Sequence, residues 1–137
     1  MSIEQNKALV RRYVEEVLNQ KNLAIVNELF ATTFVDHDSS MPEAKGPEGI
    51  KRLAGMVHTS FPDLHFTIED LIAEGDRVVY RYSVRATHKK DFMGIPATDK
   101  QIRFTGIHIY RVSGGKLQEE WENWDALGLM RQLGVVR

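Results

Sequence analysis

Residues 102–124 read IRFTGIHIYRVSGGKLQEEWENW, and this segment is the most informative about the fold class. Apolar and polar residues alternate on both sides of a glycine-rich centre, a pattern typical of a β-hairpin. Upstream, residues 75–88 read GDRVVYRYSVRATH, a Gly-Asp turn followed by a β-branched and aromatic run that predicts another long strand. The second half of the chain therefore predicts an antiparallel sheet.

The loop length of the hairpin sets which residues share a face, because successive strand side chains point to opposite faces. A three-residue loop over residues 113–115, with a left-handed glycine, is a common form and pairs Val112 with Lys116. His108 then lies opposite Glu120 and diagonal to Glu122. The face that this register predicts consists of Phe104, His108, Tyr110, Glu122 and Trp124.

A two-residue loop would reverse the faces and place His108 with Trp121, Asn123 and Asp125. Under the three-residue loop, a carboxylate lies beside an imidazole between aromatic walls, as general acid/base catalysis requires. Burial would raise the pKa of the Glu122 carboxyl toward the working pH, and the imidazole can donate to a developing enolate oxygen. This register predicts catalytic roles for Glu122 and His108.

The first half of the chain has helical periodicity. Ser2 and Gln5 have the spacing of a capping box, and an apolar stripe follows them. A second short helix is predicted over residues 23–30, and a third from Gly46 to Phe61, where the following proline ends it. Helices followed by strands predict an α+β fold.

Composition is that of an ordinary globular domain. The 137 residues are 42% hydrophobic and 27% charged, which predicts a single domain over residues 1–137. A net charge of -1 without long runs of one sign argues against nucleic-acid or anionic-membrane partners. The absence of cysteine excludes disulfides, thiolate catalysis and cysteine-ligated metal. With neither a signal-peptide pattern nor a membrane-length apolar run, we expect a cytoplasmic protein.

Six segments spread over almost the whole chain form a recognisable series: FVDH, FPDL, GDRVVYRYSVRATH, FMGIPATDK, GIHIYRVSGGK and WENWDALGLMRQLG. This series resembles the SnoaL-like polyketide cyclases, a family within the nuclear-transport-factor-2-like superfamily. The resemblance implies a cone-shaped α+β barrel, in which N-terminal helices wrap a curved antiparallel sheet around a pocket. It also implies a homodimer.

The resemblance further implies cofactor-free acid/base catalysis. In these cyclases an aspartate deprotonates a carbon flanked by carbonyls, and the enolate closes a ring by aldol addition. That aspartate follows a histidine of the preceding strand by fourteen residues, so the matching residues are His108 and Glu122, with glutamate replacing aspartate. His88 resembles a family histidine at a strand end, and His37 and Asp36 match less closely.

Other residues have weaker or structural interpretations. Asp125 precedes ALGLMRQL and is well placed as an N-cap, although it stays a catalytic candidate. Asp36, His37 and Asp38 are of metal-binding types, but turn capping is favoured and no metal is expected. An apolar cluster in the polar loop after the long strand predicts cover for the pocket mouth. The remaining substrate-binding candidates are Phe92, Met93, Ile95, Phe104, Tyr110 and Trp124.

Two classes of function stay open. The first is an enzyme acting on a small carbonyl-containing substrate, as an aldol-type cyclase or a related isomerase, dehydratase or hydrolase. The second is a non-catalytic ligand-binding or dimerisation module, because a fold alone does not fix function. Thr105, Ile107, Ile109 and Trp121 share the predicted outer face, and this apolar surface predicts a homodimer.

Overall fold

The structure is a computed structural model that describes residues 2–38 and 45–137. No helix in these two ranges is long and apolar enough to cross a membrane. The elements in chain order are α1 (Ile3–Arg12), a π-helical continuation (Tyr13–Asn19), a 3-10 turn (Leu23–Ile25), α2 (Val26–Leu29), β1 (Phe30–Asp36), α3 (Gly46–Ser60), β2 (His65–Glu74), β3 (Arg77–Thr87), β4 (Gln101–Ser113), β5 (Lys116–Trp124) and α4 (Ala126–Gln132).

The predicted helix boundaries are confirmed at both ends of the helical half. Ser2 Oγ accepts a hydrogen bond from the Gln5 backbone at 3.1 Å, and Gln5 Oε1 accepts one from the Ser2 backbone at 2.9 Å, which completes the capping box. Helix α3 begins at Gly46 and ends at Ser60, with Phe61 as its C-cap before the proline.

The five strands form one sheet in the order β1-β5-β4-β3-β2. The predicted antiparallel arrangement is confirmed for β2 to β5, whereas β1 pairs with β5 in parallel. The short helix predicted over residues 23–30 ends at Leu29, and Phe30 opens β1 instead. Strand β1 ends at Asp36, which the pairing places beside Glu120.

The hairpin register predicted from a three-residue loop is wrong. Ser113 pairs with Lys116 around a two-residue turn, whose Gly114 and Gly115 have φ of 60° and 75°. Two left-handed residues suit the tight hairpin turn that matches strand twist. Gln118 is then left out of the pairing as a bulge, because Arg111 pairs with Glu119 while Val112 pairs with Leu117.

The bulge restores the predicted face. An inserted residue reverses the side-chain alternation of one strand relative to the other. Past the bulge, His108 is paired directly with Glu122, and Gly106 with Trp124. The two errors in the expected pairing therefore cancel, so that His108 and Glu122 share the inner face.

The core lies between the inner face of the sheet and the helices. Alternate residues of β3 and β4 are buried, and their neighbours on the outer face are more exposed. The apolar face of α3 packs toward the same core through Ile50 and Ala54. A cavity lies within this layer, and residues of α3 and of all five strands line it.

Candidate functional site

The cavity has a volume of about 100 Å³ and a mainly apolar wall. Helix α3 contributes Ile50 and Ala54, and Phe104 and Trp124 contribute aromatic walls from the sheet. Tyr13 reaches the lining from the helical half, and the strands contribute five polar side chains: Asp36, Tyr82, His108, Glu120 and Glu122. An apolar chamber with a few convergent polar groups is the usual form of a small-molecule site.

His108 and Glu122 form an ion pair on this polar wall, through His108 Nε2 and Glu122 Oε2. The Tyr82 hydroxyl donates to the same carboxylate oxygen, and the Tyr80 hydroxyl is hydrogen-bonded to His108 Nδ1. The His108 side chain is 7% exposed and that of Glu122 14%. Both groups are thus fixed in position from two sides.

The electrostatics keep this pair charged. Burial disfavours the imidazolium, but the facing carboxylates of Glu122 and Glu120 outweigh it and raise the pKa of His108 to about 9. Burial opposes the Glu122 carboxylate, yet His108 and the hydrogen bond from Tyr82 outweigh it and lower the pKa of Glu122. The rise expected from burial alone is therefore wrong, because the sequence did not show how closely the imidazolium faces this carboxylate. At neutral pH the site therefore contains an imidazolium and an ionised base.

Gly106 makes the contact between Tyr82 and Glu122 possible. A Cβ at position 106 would overlap the Tyr82 hydroxyl and would lie 2.9 Å from Trp124 Cβ. Only a residue without a side chain lets the Tyr82 ring lie over β4 and reach β5.

Glu120 and Asp36 form an acidic pair next to His108, which the sequence analysis did not predict. Glu120 Oε1 lies 3.3 Å from His108 Nε2 and accepts the Tyr110 hydroxyl at 2.6 Å. Asp36 is hydrogen-bonded to the Glu120 side chain and accepts the Asp38 backbone N–H at 2.8 Å. Asp36 was a weak candidate because the FVDH segment matches the family less closely. Its strand was not predicted, and the parallel pairing of that strand with β5 brings Asp36 here.

Of the remaining predicted pocket residues, some line the cavity and others do not. Phe92, Phe104 and Trp124 are among the lining residues. Tyr110 is fully buried behind the wall, where its hydroxyl donates to Glu120. Tyr110 is therefore placed to hold a polar group of the site in position.

Of the three side chains predicted to cover the pocket mouth, only Phe92 lines the cavity. Phe92 is buried against Phe61, with ring centroids 5.1 Å apart. Met93 is 46% exposed, and neither Met93 nor Ile95 is among the residues that line the cavity. Phe92 and Ile95 close a tight turn by two backbone hydrogen bonds of 2.9 Å, and the positive φ of Met93 turns its side chain outward.

His88 and His37, two predicted substrate-binding residues, lie away from the cavity. His88 is fully buried, with Nδ1 3.0 Å from the Thr98 hydroxyl, and it is not a lining residue. His37 follows β1 on the outer side, where it stacks on Trp121 and lies 3.2 Å from Glu119. The alternation past the end of β1 turns Asp36 inward and His37 outward.

Asp125, the third catalytic candidate from the sequence, is instead an exposed N-cap outside the cavity. Its carboxylate accepts the Gly128 backbone N–H at 2.9 Å. We expect Asp125→Ala to lower the free energy of unfolding by about 1 kcal/mol, because the cap of α4 is lost. Turnover below the melting temperature should not change. Chemical denaturation with Asp125→Asn as the cap-retaining control checks this; an inactive but fully stable Asp125→Ala would contradict it.

Within residues 2–38 and 45–137, no group of three or more His, Asp or Glu side chains is arranged to hold a metal ion. What the cavity does bring together is a buried carboxylate, an imidazolium and tyrosine hydroxyls. These groups can accept a proton from carbon and donate hydrogen bonds to a negative oxygen.

Comparison with known proteins identifies the family. The family model for SnoaL-like polyketide cyclases matches residues 8–133. The chain is 28% identical over 131 residues to the aklanonic acid methyl ester cyclase DauD of Streptomyces sp. (strain C5), covering 92% of this chain and 80% of that protein. It is 30% identical over 90 residues to the nogalonic acid methyl ester cyclase of Streptomyces nogalater, covering 65% and 67%.

Solved structures agree on the fold. The structure of TsrD from Streptomyces laurentii superposes with a TM-score of 0.89 over 99% of both chains, at 23% identity. The curved five-stranded sheet with N-terminal helices is thus the nuclear-transport-factor-2-like α+β fold. With a match over nearly its full length, the chain belongs to the SnoaL-like polyketide cyclase family.

Proposed function

We propose that this protein is a cofactor-free cyclase that closes a ring in a polyketide-like substrate by intramolecular aldol addition. The observation that carries the proposal is the buried His108–Glu122 ion pair at the wall of an apolar cavity. The two curated relatives described above are named as methyl ester cyclases, which supports a carbonyl-containing ester as substrate.

The reaction needs one base and one hydrogen-bond donor. The Glu122 carboxylate takes the proton from a carbon flanked by two carbonyls, and the electron pair of that C–H bond moves onto a carbonyl oxygen as an enolate. The His108 imidazolium donates a hydrogen bond to this oxygen. The enolate carbon then bonds to a second carbonyl carbon, and the new alkoxide takes back the proton from Glu122.

The cavity size restricts which part of the substrate enters. A volume of about 100 Å³ is below the roughly 300–1,000 Å³ of ordinary ligand pockets. It accommodates a β-dicarbonyl group but not a multi-ring polyketide. We infer that the reacting end of the substrate enters first, and that the walls separate further when a large substrate binds.

The test is a panel of β-dicarbonyl and polyketide-like methyl esters. Ring closure is followed by mass spectrometry and NMR, and exchange of the acidic C–H is followed in D₂O. For at least one ester, we expect the acidic C–H to exchange faster with the protein than without it, and a cyclised product to form. Saturable binding without exchange or product would instead identify a non-catalytic ligand-binding module.

We also propose a homodimer through the outer face of the sheet. A row of apolar side chains crosses the strands from Ile72 through Val79 and Ile109 to Trp121, each paired with the next. Ile72 is 62% exposed and Ile109 36%. His37 and Arg77 cover part of Trp121, but a monomer rarely leaves the rest of such a row exposed.

Light scattering at micromolar concentration is expected to give twice the chain mass. Ile109→Asp should shift the mass toward the monomer, because it places a charge at the centre of the row. Ile3→Asp, at an exposed position of α1, is the matched control and should not shift it. A monomer mass for the unmodified chain would contradict the proposal.

A further inference from the structure

The acidic pair of Asp36 and Glu120 has no role in the reaction proposed above, although it adjoins the reacting groups. Both residues are only 5% exposed, and they are register partners in β1 and β5. A carboxyl pair of this kind is costly to bury, since each charge loses its hydration. The contact with His108 is the interaction that can offset this cost.

The hydrogen bond between the two carboxyl groups sets their proton count. Carboxylate oxygens are acceptors only, so a hydrogen bond between them requires a proton on one of them. Burial raises the pKa of Glu120 well above its usual range. His108 opposes this rise, whereas the negative charges of Asp36 and Glu122 add to it. Burial also raises the pKa of Asp36. One proton held between the two carboxyl groups, mainly on Glu120, leaves the pair with one negative charge.

We propose that Asp36 and Glu120 share a single proton and act as an anionic positioning pair, which keeps His108 protonated while Glu122 alternates between carboxylate and carboxylic acid. This inference rests on the proposed function. It adds to that function a second, constant negative charge beside the imidazole.

The pair becomes important at the moment of proton transfer. When Glu122 takes the substrate proton, its negative charge disappears, and a buried imidazolium without a counter-ion tends to lose its proton. Glu120 Oε1 lies 3.3 Å from His108 Nε2, so the pair remains in contact with the imidazole throughout. His108 can then continue to donate to the enolate oxygen rather than surrendering its proton.

Groups on every neighbouring element face His108, and most of them do not change charge near neutral pH. Burial is the largest cause that raises the pKa of the surrounding tyrosines. The titratable groups around His108 are Tyr13, Asp36, Asp38, Tyr80, Tyr82, Tyr110, Glu120 and Glu122. The test below alters the charge of the acidic pair and leaves Glu122 unchanged.

The test is a titration of the His108 ring nitrogens by NMR in four proteins: unmodified, Asp36→Asn, Glu120→Gln and the double variant. Each single variant leaves one carboxylate next to a neutral amide, which preserves the single negative charge. Both are therefore expected to titrate close to the unmodified protein, near pH 9. The double variant removes the charge and should lower the His108 pKa by about 1–3 pH units.

Each other pattern overturns the proposal. If each single variant lowers the His108 pKa by about half as much as the double variant does, the pair has two negative charges. If the double variant leaves the His108 pKa unchanged, the pair has no negative charge. Glu119→Gln, on the opposite face of β5, is the control and should leave the titration unchanged. These outcomes do not depend on turnover, so they are separate from failure of the proposed reaction.

A second measurement avoids variants that fail to fold. Carbon-detected NMR of the Asp36 and Glu120 carboxyl groups in the unmodified protein is expected to show one protonated and one ionised group at pH 7. Two ionised carboxylates at that pH would overturn the shared proton.

Discussion

Replacing Glu122 with glutamine is expected to slow ring closure by about 10²–10⁴-fold, because the side chain can no longer accept a proton from carbon. Glutamine has nearly the same volume, and its amide oxygen still accepts the Tyr82 hydroxyl. The loss should therefore appear in kcat rather than in KM. Steady-state kinetics with the best ester of the panel gives the measurement.

The same change also takes a counter-ion from His108, so the variant should be less stable. Activity is therefore compared well below the melting temperature of each protein. Glu119→Gln is the matched control: it lies next to Glu120 on β5, faces outward and contacts Arg111 and His37. Normal turnover by Glu122→Gln, together with a stable but inactive Asp125→Ala, would show that Glu122 is the wrong carboxylate.

The position of this carboxylate illustrates what the sequence can predict. Side-chain alternation within β4 and within β5 is a local property and was read correctly. Which faces the two strands share depends on the turn and on the bulge at Gln118, and the residue types at the turn permit two loop lengths. His108 and Glu122 were expected on one face, and this was right because the unforeseen bulge offset the wrong loop length.

Strand β1 shows a second limit. Its parallel pairing with β5 joins residues about 85 positions apart, and no local pattern reports such a contact. Without that strand, Asp36 could not be placed beside Glu120, and the acidic pair stayed hidden. Both residues were visible in the sequence, but their proximity arises only from the topology of the sheet.

The loop over residues 92–95 shows a third limit. Its apolar composition predicted three side chains over the pocket, but a tight turn orients them differently. In this turn Phe92 is buried in the core, Ile95 is partly buried against the core, and Met93 is exposed. Composition alone indicates that a loop has apolar residues to bury, and the turn geometry decides which of them are buried.

The free energy of unfolding is expected to fall by about 3 kcal/mol through His108 as the pH rises from 6.5 to 9. The pKa of His108 is about 9 in the folded chain, against an ordinary value of 6.5, and each unit corresponds to about 1.4 kcal/mol. Below pH 6.5 the imidazole is protonated in both states, and its full contribution is present. Above it the unfolded chain releases the proton first, so the contribution declines and is lost near pH 9.

Urea denaturation in steps from pH 6 to 9.5, on the unmodified protein and on His108→Gln, isolates this contribution. Burial raises the folded pKa of Glu120, so Glu120 also lowers stability as the pH rises, and His108 opposes this shift. The difference between the two proteins therefore reports the imidazole together with its coupling to Glu120. That difference should be about 3 kcal/mol at pH 6.5 and should nearly vanish above pH 9.

His58→Gln is the control. Burial lowers the pKa of His58, so above pH 6.5 its imidazole is neutral in both the folded and the unfolded chain. The stability curve of this variant should therefore run parallel to that of the unmodified protein. A constant difference between the unmodified protein and His108→Gln across the range would mean that His108 is not held as an imidazolium, and the hydrogen-bond donor of the proposed reaction would have to be sought among the tyrosines.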